Sequence, residues 1–380
     1  MRPRVAIAHD YLTQRGGAER VVLAMLRAFP EAEIHTTVYD PDGTFPEFRE
    51  ARILTTPLNR LGLLRRDHRM GLPLYQPSIS RAPVIDADVL LVSTTGFAHG
   101  FRTTGRKLVY CHSPARFLYL VEDYLGAPAG RSPVGWALSA LRPALVRWDQ
   151  RAARSADRYL ANSTVVRQRI LDVYGLDATV VPAPPAVNDR VTPEPIGALA
   201  DWSEGFYLVV SRLLPYKNVG KVIDAFRDLP AERLVVVGRG PLREQLGRNL
   251  PPNVRMLEGL SDGELAWAYT MAEALIAPSF EDYGLTPLEA GMLGTPTLAL
   301  RAGGYLDTVI EGVNGSFFDV ATADDIAGAV LTNRGRTWDG SKIREHVTAF
   351  DEAHFAAALR RHVADLVSHS SDSADDGRAR

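Results

Sequence analysis

Glu281 and Glu289 stand eight positions apart in the stretch EDYGLTPLE, across what reads as a strand-to-helix turn. Ligands of open α/β sheets sit outside the carboxyl ends of the strands, which is where such a turn falls. Thr286 followed by Pro287 predicts an N-cap with proline at the first helical position. A helix starting there would turn the backbone N–H groups around Tyr283, Gly284, Leu285 and Thr286 towards an anion, and the helix dipole favours a pyrophosphate. Carboxylates flanking those phosphates suit sugars, because one group can accept from two hydroxyls. Thr286 and Glu289 also fit a capping box, which needs no ligand, whereas Glu281 has no such structural explanation.

Three further stretches carry residues of the right type for the same chemistry. In SRLLPYKNV, Arg212 and Lys217 can both reach from a strand end towards a diphosphate and neutralise charge on a departing nucleotide. Lysine occurs only four times among 43 basic residues, so its use at 217 hints at a specific role, although a lysine in the first turn of a helix is the plain alternative. In QRGGAER, Gly16 and Gly17 allow close backbone approach at a helix start, a cradle for a phosphate or sugar that does not match G-x-G-x-x-G. In CHSPARF, His112 follows a strand and precedes Ser113-Pro114, which suits a hydrogen bond to substrate as well as a structural role. Cys111 has no base and orienting group visible around it and reads as buried packing. No metal-ligand spacing, nucleophile elbow or Walker motif occurs, which leaves hydrolase and kinase readings without support.

The elements that must position these residues alternate strand and helix along the whole chain, the pattern of α/β layering with parallel sheets. Val5 to Ala8, Ile34 to Val38, Val89 to Ser93, Leu108 to Cys111 and Tyr159 to Ala161 read as buried strands. Val22, Met25, Leu26 and Phe29 have the spacing of a helix with one face on a sheet. Residues 181–204, opening with VPAPPAVNDRVTPEPIG, read as a linker. The rhythm then restarts with strands at Tyr207 to Val210, Leu234 to Val237, Val254 to Leu257, Ala274 to Ala277 and Thr297 to Leu300. Phe355, Leu359, Val363 and Leu366 mark a last amphipathic helix, and SSDSADDGRAR is too polar to pack.

A chain of 380 residues exceeds what one core usually organises, and 46% apolar with 23% charged residues is ordinary for a globular protein. Charge is uneven: residues 1–190 hold 25 Lys+Arg against 18 Asp+Glu, and the remainder 18 against 27. The basic half comes with no nucleic-acid motif, so no nucleic-acid partner is expected, and an anionic membrane or acceptor competes with scattered solvated arginines as its explanation. One cysteine, a first strand in place of a signal peptide and no apolar run near twenty residues predict a cytoplasmic protein, at most peripheral on the inner face of the membrane.

Taken in order, the glycine loop (Gly16, Gly17), H-x-P (His112), the basic pair (Arg212, Lys217) and E-x7-E (Glu281, Glu289) resemble glycosyltransferase family 4, the retaining GT-B enzymes. SRLLPYK, GRGPLREQL and Y-C-H-S-P are most similar to the mannosyltransferase-like branch that uses GDP-mannose. The resemblance implies two Rossmann-like α/β/α domains facing each other across a cleft. Residues 1–190 would bind acceptor and 191–350 the nucleotide sugar, with the helix at 351–367 packing back on the first domain and 368–380 disordered. It also implies that Arg212 and Lys217 hold the diphosphate, Glu289 the ribose and Glu281 the transferred sugar. His112 would face that sugar, Gly17 the phosphates and the segment Met256 to Glu258, after a strand, the base, with Gly238 of GRGPLREQL also at the donor. The function implied is transfer of a hexose, mannose favoured, to a glycan or lipid-linked acceptor, with no metal or cofactor. RAGGYLDTV departs from the family pattern by placing Tyr305 where a small or acidic residue is expected.

Residues 58–82 interleave Arg60, Arg65, Arg66, Arg69 and Arg81 with Leu61, Leu63, Leu64, Met70 and Leu72, a mix that suits either an anionic membrane beside a lipid-linked acceptor or a plain surface helix. A nucleotide-sugar 2-epimerase of the same fold and a non-catalytic nucleotide-sugar-binding protein are the alternatives to a transferase. A dehydrogenase is disfavoured, because neither glycine loop has the required spacing.

Overall fold

Runs such as VAIAH, VLLVST and FYLVV are apolar on both faces, which suits strands of a parallel sheet covered by helices on each side. The computed structural model describes residues 3–120, 133–185, 191–202 and 205–376, with backbone only at 69, 133–139 and 369–376, and contains two such sheets. They belong to two units, one formed by residues 1–184 with 352–380 and the other by 185–351.

The first unit is built on β1 (Val5–His9), β2 (Ile34–Thr36), β3 (Ile53–Thr55), β4 (Val89–Thr94), β5 (Arg106–Cys111), β6 (Arg158–Ala161) and β7 (Ala178–Val180). All pairs are parallel, in the order β3-β2-β1-β4-β5-β6-β7, so the direction of winding reverses between β1 and β4. Ala6, Ala8, Leu90, Val92, Val109 and Cys111 point into a single apolar cluster, while their neighbours Ile7, Leu91, Leu108 and Tyr110 are buried on the opposite face. Tyr110 there meets Phe355 of the helix Glu352–Asp376 edge-on, with ring centres 5.5 Å apart. Arg27 pairs with Glu352, and Arg158 lies 2.9 Å from His362, so the last helix docks on this unit. It stays helical to Asp376, beyond the unstructured start expected at 368, because each residue added to an existing helix gains a hydrogen bond. The rest of that expected tail, 377–380, lies outside the described residues.

The second unit contains β8 (Phe206–Val210), β9 (Leu234–Val237), β10 (Val254–Leu257), β11 (Ala272–Ala277), β12 (Thr297–Leu300) and β13 (Gly315–Phe318). These too are parallel, in the order β10-β9-β8-β11-β12-β13, with the reversal between β8 and β11. Side chains alternate between faces: Tyr207 and Val209 enter one cluster, Phe206 and Leu208 the other, giving three layers. The stretch read as a linker is only partly one. Ile196, Leu199 and Trp202 join the core beside Phe206 and Tyr269, since an apolar triplet at the mouth of a sheet gains more from burial than from exposure. Residues 186–190 and 203–204 of that stretch lie outside the described residues.

Candidate active site

The site is assembled where the second sheet reverses. The loop leaving β8 carries Lys217 and the loop leaving β11 carries Glu281, and Lys217 Nζ donates to Glu281 Oε1 in a largely sheltered ion pair. Ser279 Oγ donates to the same oxygen at 2.6 Å. A second tie comes from Asn218, whose Nδ2 donates to the Pro278 carbonyl at 3.0 Å. Asn218 adopts φ 55°, a left-handed conformation that asparagine tolerates better than most residues and that turns the chain into the helix Val219–Arg227. Two loops far apart in sequence are thereby held as one surface at the switch point, the usual ligand position of such sheets.

The glycine pair of RAGGYLDTV completes the floor. Gly304 N donates to the Glu281 carbonyl at 2.8 Å, and the Tyr305 hydroxyl lies 3.3 Å from Ser279 Oγ. Tyr305, the departure from the family pattern, is therefore a support for Glu281 through Ser279. Its buried ring occupies the space beside Gly284, where any Cβ would come within 2.5 Å of it and φ is 78°. With tyrosine at 305 and φ 78°, position 284 accepts only glycine.

Gly284 also moves the helix start. The helix runs Leu285–Met292 with Gly284 as N-cap and no side-chain cap, so Thr286 is its second residue, not the expected cap, and Pro287 its third. Proline is tolerated there because the first four N–H groups have no partner within the helix. The expected capping box is absent: Glu289 is buried in the helix, and its Oε2 accepts from the Tyr269 hydroxyl at 2.8 Å. Burial, and next the charge of Glu289, hold the Tyr269 hydroxyl well above its ordinary pKa, so it stays a donor. Tyr283 turns its ring into the protein, leaving only its backbone for a ligand.

Arg212 is exposed and reaches the Tyr216 hydroxyl at 3.4 Å, while Lys217 Nζ lies 5.1 Å from the centre of the Tyr216 ring. Tyr216 thus joins the two basic groups. Gly238 follows β9, its N–H donating to the Leu257 carbonyl at 3.0 Å, and Glu258 follows β10, paired with Arg243 at 3.3 Å. Met256 lies within β10, not after it, and packs against the core. Among the described residues none of these three hydrogen-bonds or ion-pairs with Lys217 or Glu281.

In the first unit Gly16 and Gly17 cap and open the helix Gly17–Ala28. His112 follows β5, half-buried, with Nε2 2.9 Å from Ser93 Oγ. Burial first, then the neighbouring charge of His9, push the His112 pKa down to about 3. Cys111 is buried, and burial raises its thiol pKa well above the ordinary value, in keeping with packing rather than nucleophilic chemistry. Asp10, directly after β1, accepts from the backbone N–H groups of Thr95, Phe97 and Ala98 at 2.6 to 2.7 Å and so fixes the loop after β4. His9, Asp10, Glu19, Ser93, Tyr269 and Ser279 carry no mark in the sequence motifs above, and Tyr305 stands there only as a departure from the family pattern. The signal available for Glu19 was its place directly after the glycine loop in GGAER, and for Asp10 its place at a strand end.

Among the described residues no helix is long and apolar enough to cross a membrane.

Residues 199–332 match the family described as Glycosyl transferases group 1, and residues 15–190 match Glycosyltransferase Family 4. GDP-mannose-dependent alpha-(1-6)-phosphatidylinositol monomannoside mannosyltransferase of Mycolicibacterium smegmatis is 30% identical over 222 residues, 52% of this chain and 57% of that protein. D-inositol 3-phosphate glycosyltransferase of Kineococcus radiotolerans is 30% identical over 220 residues, 50% of this chain and 49% of that protein. The chain spans about half the length of the curated relatives it matches. Sucrose-phosphate synthase from Thermosynechococcus elongatus shares the fold with a TM-score of 0.67 at 18% identity, covering 96% of this chain and 100% of that one. Anabaena HepE, solved in complex with UDP, does so with a TM-score of 0.66 at 17% identity, covering 95% and 100%. With two parallel sheets of Rossmann order, the GT-B fold and both halves matched, the chain belongs to the family 4 glycosyltransferases.

Proposed function

We propose that the chain transfers a hexose, with retention at the anomeric carbon, from a nucleoside-diphosphate sugar to a glycan or lipid-linked acceptor. The observation that carries this reading is the Lys217–Glu281 pair at the β8/β11 switch point, an ammonium and a carboxylate held together beside a helix start. Lys217, Arg212 and the N-terminus of the helix Leu285–Met292 supply positive charge for a departing diphosphate, so that no metal is called for. Glu281 offers the transferred sugar Oε2, since the contacts from Lys217 and Ser279 both fall on Oε1. Glu289 takes the ribose and His112 the sugar. The bond from the anomeric carbon to the diphosphate breaks, the acceptor oxygen forms its bond on the same face, and the acceptor proton passes to the leaving phosphate. GDP-mannose is the donor favoured, on the similarity to a GDP-mannose-dependent relative.

Nucleoside diphosphates test the donor directly. GDP should raise the melting temperature of the full chain more than UDP, ADP or dTDP, because a ligand at a hundred times its Kd adds about 2.7 kcal/mol. A larger shift with UDP would remove the mannose donor, and no shift with any of the four would overturn the reading.

On the same reading a lipid-linked acceptor would be met at an anionic membrane on the cytoplasmic side. Leu61, Leu63, Met70 and Leu74 are exposed, Leu63 by 58%, among exposed Arg60, Arg65 and Arg66 around the short helix Gly62–Arg66. Leu64 turns into the core instead, Leu72 is half-buried, and the side chain of Arg69 lies outside the described residues. Apolar side chains rimmed by arginine match the chemistry of an anionic lipid surface. The full chain should float with liposomes containing phosphatidylglycerol and not with phosphatidylcholine alone, and Leu63→Asp should reduce flotation at least about fivefold. Equal recovery with both lipids, or none at physiological salt, removes the membrane from the proposal.

A further inference from the structure

The reversal point of the first sheet holds a buried polar chain that the transfer chemistry above does not use. His9, the last residue of β1, is the register partner of Ser93 on β4. His9 Nδ1 lies 3.1 Å from both the carbonyl oxygen and Oγ of Ser93, and Ser93 Oγ lies 2.9 Å from His112 Nε2. On the other side, His9 Nε2 faces Glu19 Oε1 at 3.9 Å, and that oxygen accepts from Gln14 Nε2 at 3.0 Å. His9 and Glu19 are each 1% exposed and Ser93 is fully buried. Glu19 Oε2 is buried with no hydrogen-bond partner among the described residues, and it fills the space at Gly16, where a Cβ would come within 2.5 Å of it.

One assignment of protons in this chain gives every one of these contacts a donor and an acceptor. A carbonyl oxygen only accepts, so His9 Nδ1 carries a proton and donates to Ser93. Ser93 Oγ shares that donor, and its own proton has His112 Nε2 as its acceptor. In a neutral imidazole an accepting Nε2 puts the proton on Nδ1. Burial opposes a charge on His9, but the hydrogen bond and charge of Glu19, followed by the charge of Asp10, outweigh it and raise the His9 pKa, in keeping with a proton on Nδ1. The charged and titratable groups around His9 among the described residues are Glu19 on the first helix, Asp10 and Tyr11 after β1 and His112 after β5.

We propose that Glu19, His9 and Ser93 set the tautomer of His112, so that its ring presents Nδ1–H, a hydrogen-bond donor, to an oxygen of the substrate. The three are positioning residues, acting through His112. The proposal rests on the reading of His112 as a residue that faces the sugar, and it deepens that reading by fixing what His112 offers: a donor to a hydroxyl or ring oxygen, not a base. A site built in this way selects sugars that present an acceptor atom at that point and disfavours deoxy analogues there.

The tautomer can be read without activity. In the full chain labelled with 15N-histidine, the His112 ring, assigned by its loss in His112→Gln, should show a protonated Nδ1 and an unprotonated Nε2 at pH 7.5. A protonated Nε2 in the unaltered protein would overturn the proposal, and this measurement needs no variant to fold. Ser93→Ala should shift the ring towards the Nε2–H form and lower kcat roughly three- to tenfold, the range one neutral hydrogen bond carries, with donor KM little changed. Ser93→Thr, which keeps the hydroxyl, should restore both signals. Normal turnover in His112→Gln would remove the substrate role of His112 and leave the tautomer result standing. Slow His112→Gln with an unaltered ring signal in Ser93→Ala would instead remove the positioning role.

Discussion

Lys217→Ala should lower kcat/KM for sugar transfer about a hundredfold or more, the range seen when one group stabilising developing charge is removed. Two losses add in the same direction. On the proposed mechanism the diphosphate would leave without its sheltered counter-charge, and Glu281 would keep only the neutral Ser279 hydroxyl, a carboxylate unbalanced beside an anionic leaving group. Lys217→Arg should restore little, because a planar guanidinium cannot occupy the position of a compact ammonium between Glu281 and the Tyr216 ring. Arg212→Ala should cost about tenfold, less than Lys217→Ala, since Arg212 is exposed and more screened by water. Lys221→Ala is the control: it is exposed on the helix Val219–Arg227 and should transfer at the unaltered rate. Initial rates across donor concentrations separate these cases. A Lys217→Ala protein within twofold of the unaltered one would end the assignment of this pair to the leaving group.

What could be read in the sequence was what lies within a few residues. Glu281, Gly284 and Lys217 declare themselves because a carboxylate, a glycine and a rare lysine each follow an apolar run that must be a strand. The bond between Lys217 and Glu281 spans 64 positions and the one between His9 and Ser93 spans 84, and no periodicity encodes which strand ends become neighbours. Strand order decides that. Tyr305 looked like a departure because its partners, Ser279 and Gly284, are distant in sequence, and the T-x-x-E pattern misled because Gly284 starts the helix earlier than Thr286 could cap it. The strands β3, β7 and β13 went unread for a different reason: they have three or four residues each, all three close their sheet at an edge, β3 and β7 carry exposed side chains, and β13 opens on a glycine. The apolar runs of β4, β8 and β9 left no such room, because a sequence buried on both faces has only one way to fold into layers.

The same long-range logic places a charge where composition would never put it, and its removal should have the largest effect on stability. Asp149, fully buried on the helix Pro133–Arg154, lies 2.9 Å from His99 Nε2 and accepts from the Tyr119 hydroxyl at 2.7 Å. His99 Nδ1 in turn lies 3.0 Å from the Tyr159 hydroxyl on β6, so one carboxylate joins a helix, a strand and both the loop after β4 and the segment after His112. Asp149→Ala should cost about 2–4 kcal/mol, because it leaves the Tyr119 hydroxyl unpaired and opens a void beside His99 in a region that water does not reach. Asp149→Asn keeps the shape and one acceptor and should cost less, about 1–3 kcal/mol. Urea unfolding of the full chain checks both values, and nucleotide binding identifies which unit is affected. Asp149 belongs to the first unit and Lys217 with Glu281 to the second, so GDP should bind the native Asp149→Ala protein with unaltered Kd while its first unfolding transition moves to lower urea. A loss under 1 kcal/mol would mean that the buried carboxylate and its partners are not the tie between those four segments.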